Sequence, residues 1–305
     1  MEENKKIIFW GTPQFSLPSI ESLFSLGLVA AVVTQADKPA GRNRQPKSSP
    51  IKQFAQKHQL PVISPLKLDD DFVSELKKYL PATFVVVAYG KIIKQAVLDL
   101  SARPTINIHP SILPALRGPS PIQTALRQGL SETGVSLMQL DAQMDHGPIL
   151  AQIKLKIEPN DDYLSLSERL AALGAKLLSD NIIKYLAGVL PATAQDDSQA
   201  TFCKLINKEQ GEIDWHKPAT EILNQIRAFR VWPTSYTRLN NLELKIIQAR
   251  LASINLAAQE VLIREGKLYI GTGAGALEII SLQPANKKIM TAAEFVRGYG
   301  HYFSK

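Results

Sequence analysis

Apolar positions along the chain follow two rhythms, and their order predicts the architecture. Ile7-Ile8-Phe9-Trp10 is a short apolar run that breaks at Gly11-Thr12-Pro13 into a helical pattern reaching Leu26. Pro13 is expected in the first helical turn, where its missing N–H costs nothing. Val29 to Thr34 predicts a second strand, Ile51 to His58 a helix and Pro61 to Ile63 a short strand. Asp69 to Tyr79 predicts an amphipathic helix with acidic residues at its start, where the helix dipole favours them. Phe84 to Tyr89 is the most apolar run, which predicts a central strand buried on both faces. A helix follows Lys94, and another covers Pro121 to Gln128. Gly134 to Asp141 and Ile149 to Ile157 alternate strongly and predict a hairpin-like pair, followed by a long helix over Tyr163 to Leu186. The fold class is therefore α/β, an open, mostly parallel twisted sheet with an added hairpin.

Beyond that helix the pattern changes. Gly188 to Ala200 is rich in Pro, Ala, Asp, Gln and Ser, lacks periodicity and reads as a linker. A helix is expected over Ala219 to Ala228, then short strands over Ser235–Leu239, Leu244–Ala249, Glu260–Arg264, Lys267–Gly271 and Leu277–Leu282. A last helix covers Ala292 to Gly298. Short strands at such close spacing predict a small barrel or sandwich. A length of 305 residues agrees with two domains.

Composition narrows the class of protein. A hydrophobic fraction of 45% lets both domains bury a core, yet no apolar run is long enough to span a bilayer. Met1 to Lys6 runs straight into a strand without the apolar region of a signal peptide. Cys203 is the only cysteine, which removes intrachain disulfides and cysteine-based metal clusters and fits a cytoplasmic location. The formal net charge of +7 points to a polyanionic partner. Its distribution is more telling. Gln35 to Pro50 is long for a connection in an α/β sheet and carries Lys38, Arg42, Arg44 and Lys47 against Asp37 alone. Such a segment is either a solvated surface loop or a basic arm for phosphates.

Candidate chemistry centres on Thr105-Ile106-Asn107-Ile108-His109-Pro110-Ser111-Ile112-Leu113-Pro114, continuing to Arg117-Gly118-Pro119-Ser120-Pro121. Ile106 and Ile108 alternate with Asn107 and His109, so a short strand has one apolar and one polar face. Pro110 and Pro114 prevent its continuation. In open α/β sheets ligands bind at the carboxyl ends of strands. A third polar group, Asp145, lies beside His146 in the loop of the hairpin. Each alone has a bland role: an Asn bonding a turn, a structural His, an Asp forming a turn. Together, at adjacent strand ends, they supply an amide donor, an imidazole and a carboxylate.

Other chemistries fit less well. Gly11 stands alone where a dinucleotide fingerprint needs three glycines, and no P-loop Gly-Lys-Ser/Thr follows it. Ser111 lacks the G-x-S-x-G elbow of a serine hydrolase. A zinc site would need two further ligands at sensible spacing, so no metal is expected. Acyl transfer between two bound substrates needs no protein nucleophile. There Asn107 and a protonated His109 would stabilise an oxyanion, while Asp145 orients the imidazole and helps accept the amine's proton.

The run Asn107-x-His109-x-Ser111-Ile112-Leu113-Pro114-x-x-Arg117-Gly118-x-x-Pro121, with Asp145-x-Gly147-Pro148 downstream, resembles the signature of the folate-dependent formyltransferases. Further segments narrow the resemblance to members acting on methionyl-tRNA. These are Trp10-Gly11-Thr12-Pro13-x-Phe15, Thr34-Gln35-x-Asp37-Lys38-Pro39-Ala40-Gly41-Arg42, Ala88-Tyr89-Gly90-Lys91, Lys208-Glu209-x-Gly211-x-Ile213-Asp214-Trp215 and Ile226-Arg227-Ala228-Phe229-x-x-Trp232-Pro233. The resemblance implies 10-formyltetrahydrofolate as donor and initiator methionyl-tRNA as acceptor, with no metal and with the chain acting as a monomer. It implies a Rossmann-like catalytic domain over 1–188, a linker over 189–206 and a tRNA-binding barrel of oligonucleotide-binding type over 207–305. By matching positions, Asn107, His109 and Asp145 are catalytic, and Ser111, Ile112, Leu113 and Pro114 form part of the folate site. The pterin is expected near Tyr89, Gly90, Lys91 and Asp141. Lys38, Arg42, Arg44 and Lys47 would meet the tRNA. Two departures stand out: Ile112 where the family usually has Leu, and Arg230-Val231 where Asn-Pro is usual. A formyltransferase for a sugar-nucleotide amine, a non-catalytic RNA-binding protein on the same scaffold and a formate-releasing folate hydrolase share parts of this pattern.

Overall fold

The computed structural model describes residues 6–40 and 45–303. Within them the chain forms two compact units. The first comprises residues up to Gly118, Glu132–Lys156 and Ser167–Phe202; the second comprises Pro119–Ser131, Ile157–Leu166 and the residues from Cys203 onward.

In chain order the first elements are β1 (Ile7–Gly11), α1 (Leu17–Ser25), β2 (Val29–Val33), β3 (Lys38–Ala40), β4 (Gln45–Lys47), α2 (Pro50–Lys57), β5 (Val62–Ile63) and α3 (Asp70–Lys77). Then come β6 (Thr83–Val87), α4 (Gln95–Leu98), β7 (Ile106–His109), α5 (Pro121–Arg127, in the second unit), β8 (Glu132–Gln139), β9 (Ile149–Lys156) and α6 (Tyr163–Ala187). The sheet of the first unit has the order β5-β2-β1-β6-β7-β8-β9. Its first five strands are parallel, and β8 and β9 continue it antiparallel, as the periodicity predicts. Every residue of β1 and β6 is buried, which suits strands covered on both faces. At the sheet edge β9 alternates and exposes Lys154 and Lys156, charges that discourage pairing with another chain.

Trp10 anchors the core of this unit, edge-on to Phe72 at 5.7 Å and to Tyr89 at 5.2 Å. Helix starts are capped: the Ser49 side chain accepts from Lys52 N–H, and Asp69 accepts from Phe72 N–H. Pro13 does not enter the first turn of α1. It stays extended ahead of a single 3-10 turn at Gln14–Ser16, and Pro18 takes the helix-start position instead.

The stretch after α6 is tied down more closely than a linker composition suggests. Thr193 and Ile149 exchange backbone hydrogen bonds of 2.8 Å in both directions. Arg117 N–H donates to Thr201 O at 2.9 Å, and Thr201 N–H donates to Pro114 O at 3.2 Å. Residues 193–202 therefore form a strap on the first unit.

The second unit adds α7 (Ala219–Ala228), β10 (Ser235–Leu239), β11 (Leu242–Ala252), β12 (Val261–Arg264), β13 (Lys267–Gly271), β14 (Ala276–Pro284), β15 (Met290–Thr291) and α8 (Ala292–Tyr299). Its antiparallel sheet has the order β10-β11-β14-β13-β12, with β15 against β14. This is the small barrel-like arrangement that the strand spacing predicts. Trp215, Ile222, Ile226, Ile270 and Phe295 lie in its core, and Trp215 Nε1–H donates to Thr237 Oγ1 at 2.8 Å. Arg230, one of the two departures, pairs through Nε with Asp162 Oδ2 at 3.1 Å. No helix among the described residues is long and apolar enough to cross a membrane.

Candidate active site

Asn107 and His109 project from one face of β7, because side chains two residues apart on a strand share a face. The strand is fixed on both sides: Asn107 pairs with Val86 of β6 and Met138 of β8, and His109 pairs with Ser136. Asn107 is 9% exposed and His109 4%. Among the described residues none hydrogen-bonds the Asn107 carboxamide, and its polar atoms are not sealed from solvent, so its donors are open to a ligand.

The His109 ring has two acceptors beside it. Nε2 lies 3.0 Å from the Leu116 carbonyl oxygen. A carbonyl only accepts, so Nε2 carries a proton and Nδ1 is the nitrogen left for chemistry. Nδ1 faces Asp145 Oδ2 at 3.6 Å, beyond hydrogen-bond range but within ion-pair distance. The same oxygen accepts the Gly118 backbone N–H at 2.8 Å. Leu116 and Asp145, the two residues facing the ring, both have left-handed backbone, with φ of 60° and 51°. That region is sparsely used by side-chain-bearing residues and persists where the surroundings impose it.

Asp145 does not reach His109 from an adjacent strand end, as the sequence suggests. Gln139, the last residue of β8, pairs with Ile106 at the start of β7, whereas His109 is at its end. The loop opens at the far end and folds back over the sheet. Gly147 permits this turn: a Cβ there would press on the Gln139 carbonyl oxygen, closer than any real Cβ contact.

Because the loop leaves its strands, other groups hold it. Gln195 Nε2 donates to the carbonyl oxygens of Asp145 at 2.9 Å and Gly147 at 2.7 Å. Arg117 Nε donates to Gln195 Oε1 at 3.0 Å, which settles which end of that amide donates. Arg117 Nη2 also meets Asp197 at 2.7 Å, and His146 bridges Asp141 at 2.6 Å and Asp197 at 3.4 Å. The hydrogen bond that His146 donates to Asp141 raises its pKa above the ordinary value, and the Arg117 guanidinium holds the Asp197 carboxyl below its own.

The other sequence-derived residues are placed as follows. The turn from Ser111 to Pro114 is pinned to β8 and β9: Ser136 Oγ accepts Leu113 N–H at 3.0 Å and donates to Ser111 O at 2.7 Å, and Gln152 Nε2 donates to Leu113 O at 2.9 Å. Ile112 stays half-buried on this turn, and Asp141 sits in the Asp145 loop. The Tyr89 ring is in the Trp10 core, where burial pushes its hydroxyl up to about 12, so it presents no open face to a ligand. Its carbonyl accepts from Thr12 Oγ1 and Gln35 Nε2. Gly90 follows with φ of 81°, and Lys91 Nζ is bound to the Pro65 and Leu66 carbonyls. Lys47 is exposed. Arg42 and Arg44 lie outside the described residues, as does the Lys38 side chain.

Sequence reading missed Gln195, Asp197 and Thr201 as parts of the site. They fall in an aperiodic stretch whose composition carries no signal, whereas Arg117 and Gly118 were visible within the motif. Among the described residues no group of three or more His, Cys, Asp or Glu side chains could hold a metal ion.

Residues 5–182 match the formyl transferase family, and residues 205–300 match the formyl transferase C-terminal domain. A methionyl-tRNA formyltransferase of Myxococcus xanthus is 39% identical over 296 residues, covering 96% of this chain and 95% of its own. One from Geobacter sulfurreducens is 39% identical over 298 residues, covering 96% and 94%. Among solved structures, the sugar 3N-formyl transferase WlaRD, crystallised with dTDP and 5-N-formyl-THF, superposes with a TM-score of 0.69 at 22% identity. It covers 93% of this chain and 98% of its own, and at that identity the likeness speaks for the fold. Asn107, His109 and Asp145 thus stand on a chain that belongs to the methionyl-tRNA formyltransferase family.

Proposed function

We propose that the protein transfers a formyl group from 10-formyltetrahydrofolate to the α-amino group of methionine on initiator methionyl-tRNA. The observation that carries this reading is Asn107, two residues before His109 on β7 and 9% exposed, whose carboxamide has no hydrogen-bond partner among the described residues and still reaches solvent. That is the setting a carbonyl oxygen acquiring negative charge requires. The methionine amine would attack the formyl carbon of the donor, and the bond from that carbon to N10 would break, releasing tetrahydrofolate with a proton taken up at N10. Asn107 Nδ2–H and, in the protonated ring, His109 Nδ1–H would donate to the formyl oxygen, and groups already fixed by β7 need no reorganisation as charge develops. The Asp145 carboxylate, 3.6 Å from Nδ1, lies near enough to help take the proton that the amine loses. Gly118 N–H holds that carboxylate in place.

The turn from Ser111 to Pro114, the Asp141 loop and the backbone of Tyr89 to Lys91 would hold the folate. Lys38, Arg42, Arg44 and Lys47 would meet the acceptor end of the tRNA. Identity of 39% along nearly the full chain to methionyl-tRNA formyltransferases supports this acceptor over a sugar amine. A single free cysteine, Cys203, fits work in the cytoplasm.

The test is incubation with 10-formyltetrahydrofolate and methionyl-tRNA from initiator and elongator pools. Formylation of the initiator alone is expected. Formylation of neither, or of a nucleotide-linked amino sugar in preference, would overturn the proposal.

A further inference from the structure

We infer that the strap over residues 193–202 is part of the catalytic apparatus and that Gln195 is the positioning residue that aims Asp145 at His109. This rests on the reading of Asp145 as a catalytic group.

The inference starts from the loop. Since Gln139 pairs with Ile106, the ladder between β7 and β8 does not determine where Asp145 lies relative to His109. Side-chain contacts must. The Asp145 carboxylate is held by Gly118 N–H at 2.8 Å, but its backbone, at a φ of 51°, is held by Gln195 Nε2, which donates to the carbonyls on either side of His146. A left-handed residue with a side chain stays in that state only under such outside constraint.

The strap also reaches the other side of the ring. Thr201 Oγ1 accepts Leu116 N–H at 2.9 Å, and Leu116 supplies the carbonyl that fixes His109 Nε2. One short segment thus controls both residues that face the imidazole. Arg117 ties the arrangement together. Its side chain is 4% exposed and spans Gln195 Oε1 and Asp197. The two ends of the Gln195 amide therefore have separate jobs: the oxygen is anchored and the nitrogen does the aiming.

That division supplies the test. Gln195→Glu keeps an acceptor for Arg117 at nearly the same volume but cannot donate to the Asp145 and Gly147 carbonyls. Gln195→Ala removes both interactions. Formation of formylated initiator tRNA by the full chain is measured with both substrates saturating, alongside KM for each substrate and the thermal midpoint. Misplacing a catalytic group by about 1 Å costs about 100-fold. Both variants should lower kcat by about 10- to 100-fold, with KM values within about twofold of the parent. Gln195→Glu should also melt within a few degrees of the parent. A parental kcat in Gln195→Glu would overturn the inference, since the strap would then need only its Arg117 anchor. An equal fall in stability and in the affinity for both substrates, with kcat preserved, would do the same. Asp145→Asn separates this from the underlying reading: if it turns over at the parental rate, the role of Asp145 has failed and the inference falls with it. Loss in Asp145→Asn together with full activity in Gln195→Glu rejects the strap alone.

Discussion

His109 gives its Nε2–H to the Leu116 carbonyl across 3.0 Å, and that bond decides what the rest of its ring can do. With Nε2 committed, Nδ1 faces the Asp145 carboxylate. The tautomer is set by a main-chain atom, which no side-chain substitution at position 116 removes. Leu116→Ala should therefore retain most activity, whereas Asn107→Ala should lose about 100- to 1,000-fold in kcat, the usual cost of one oxyanion donor. Steady-state kinetics of the two variants would check this, and Asn107→Ala at the parental kcat would contradict it.

The ion-pair chain Asp141–His146–Asp197–Arg117 makes the loop sensitive to pH in a defined direction. The folded-state pKa of His146 is raised, chiefly by its hydrogen bond to Asp141. Its contribution is fully present below the ordinary value of 6.5 and is lost as pH rises through the folded value. The Asp197 pKa is lowered, chiefly by Arg117, so its contribution is present above 3.8 and is lost as pH falls through the folded value. His146→Gln should therefore melt below the parent at pH 6, with the two midpoints converging as pH rises. A constant gap across that range would mean that His146 works by packing alone.

Gly147 is required by the turn that brings the loop back across the end of β8. Gly147→Ala places a methyl group against the Gln139 carbonyl, and main chain cannot yield as a flexible side chain does. The expected cost is about 1–3 kcal/mol, together with loss of activity as Asp145 shifts. Chemical denaturation monitored alongside turnover measures both effects. Unchanged stability would show that the loop has slack.

For the basic segment, each phosphate contact contributes about 0.7–0.9 to the slope of log K against log salt. Arg42→Ala should weaken tRNA binding and lower that slope by about one contact, leaving the KM for the folate donor unchanged. An unaltered slope would return this segment to a solvated surface loop.

The fold was legible because its strands carry strong patterns. The unbroken apolar runs of β1 and β6 suit interior strands of a parallel sheet, and the alternation of β9 suits the sheet edge, while β8 is buried between β7 and β9. Asn107 and His109 were visible because polar residues interrupt an apolar strand just before Pro110. Other features had no local signature. Tyr89 sits beside a strand-end glycine in sequence, but packing against Trp10 takes its ring into the core. Likewise Gln195 and Thr201 lie in an aperiodic stretch, and their importance comes from contacts 50 and 85 residues away along the chain. Long-range hydrogen bonding of that kind leaves no mark on local periodicity. The path of Asp145 was misread for a related reason, since strand register is a property of the pair and neither strand alone encodes it.

The most direct measurement is the single-turnover rate of formyl transfer in Asp145→Asn, with enzyme in excess over initiator methionyl-tRNA and the donor saturating. If the carboxylate across 3.6 Å from His109 Nδ1 acts in the chemical step, the rate falls by about 100-fold or more while tRNA binding is unchanged. A parental rate would contradict the account.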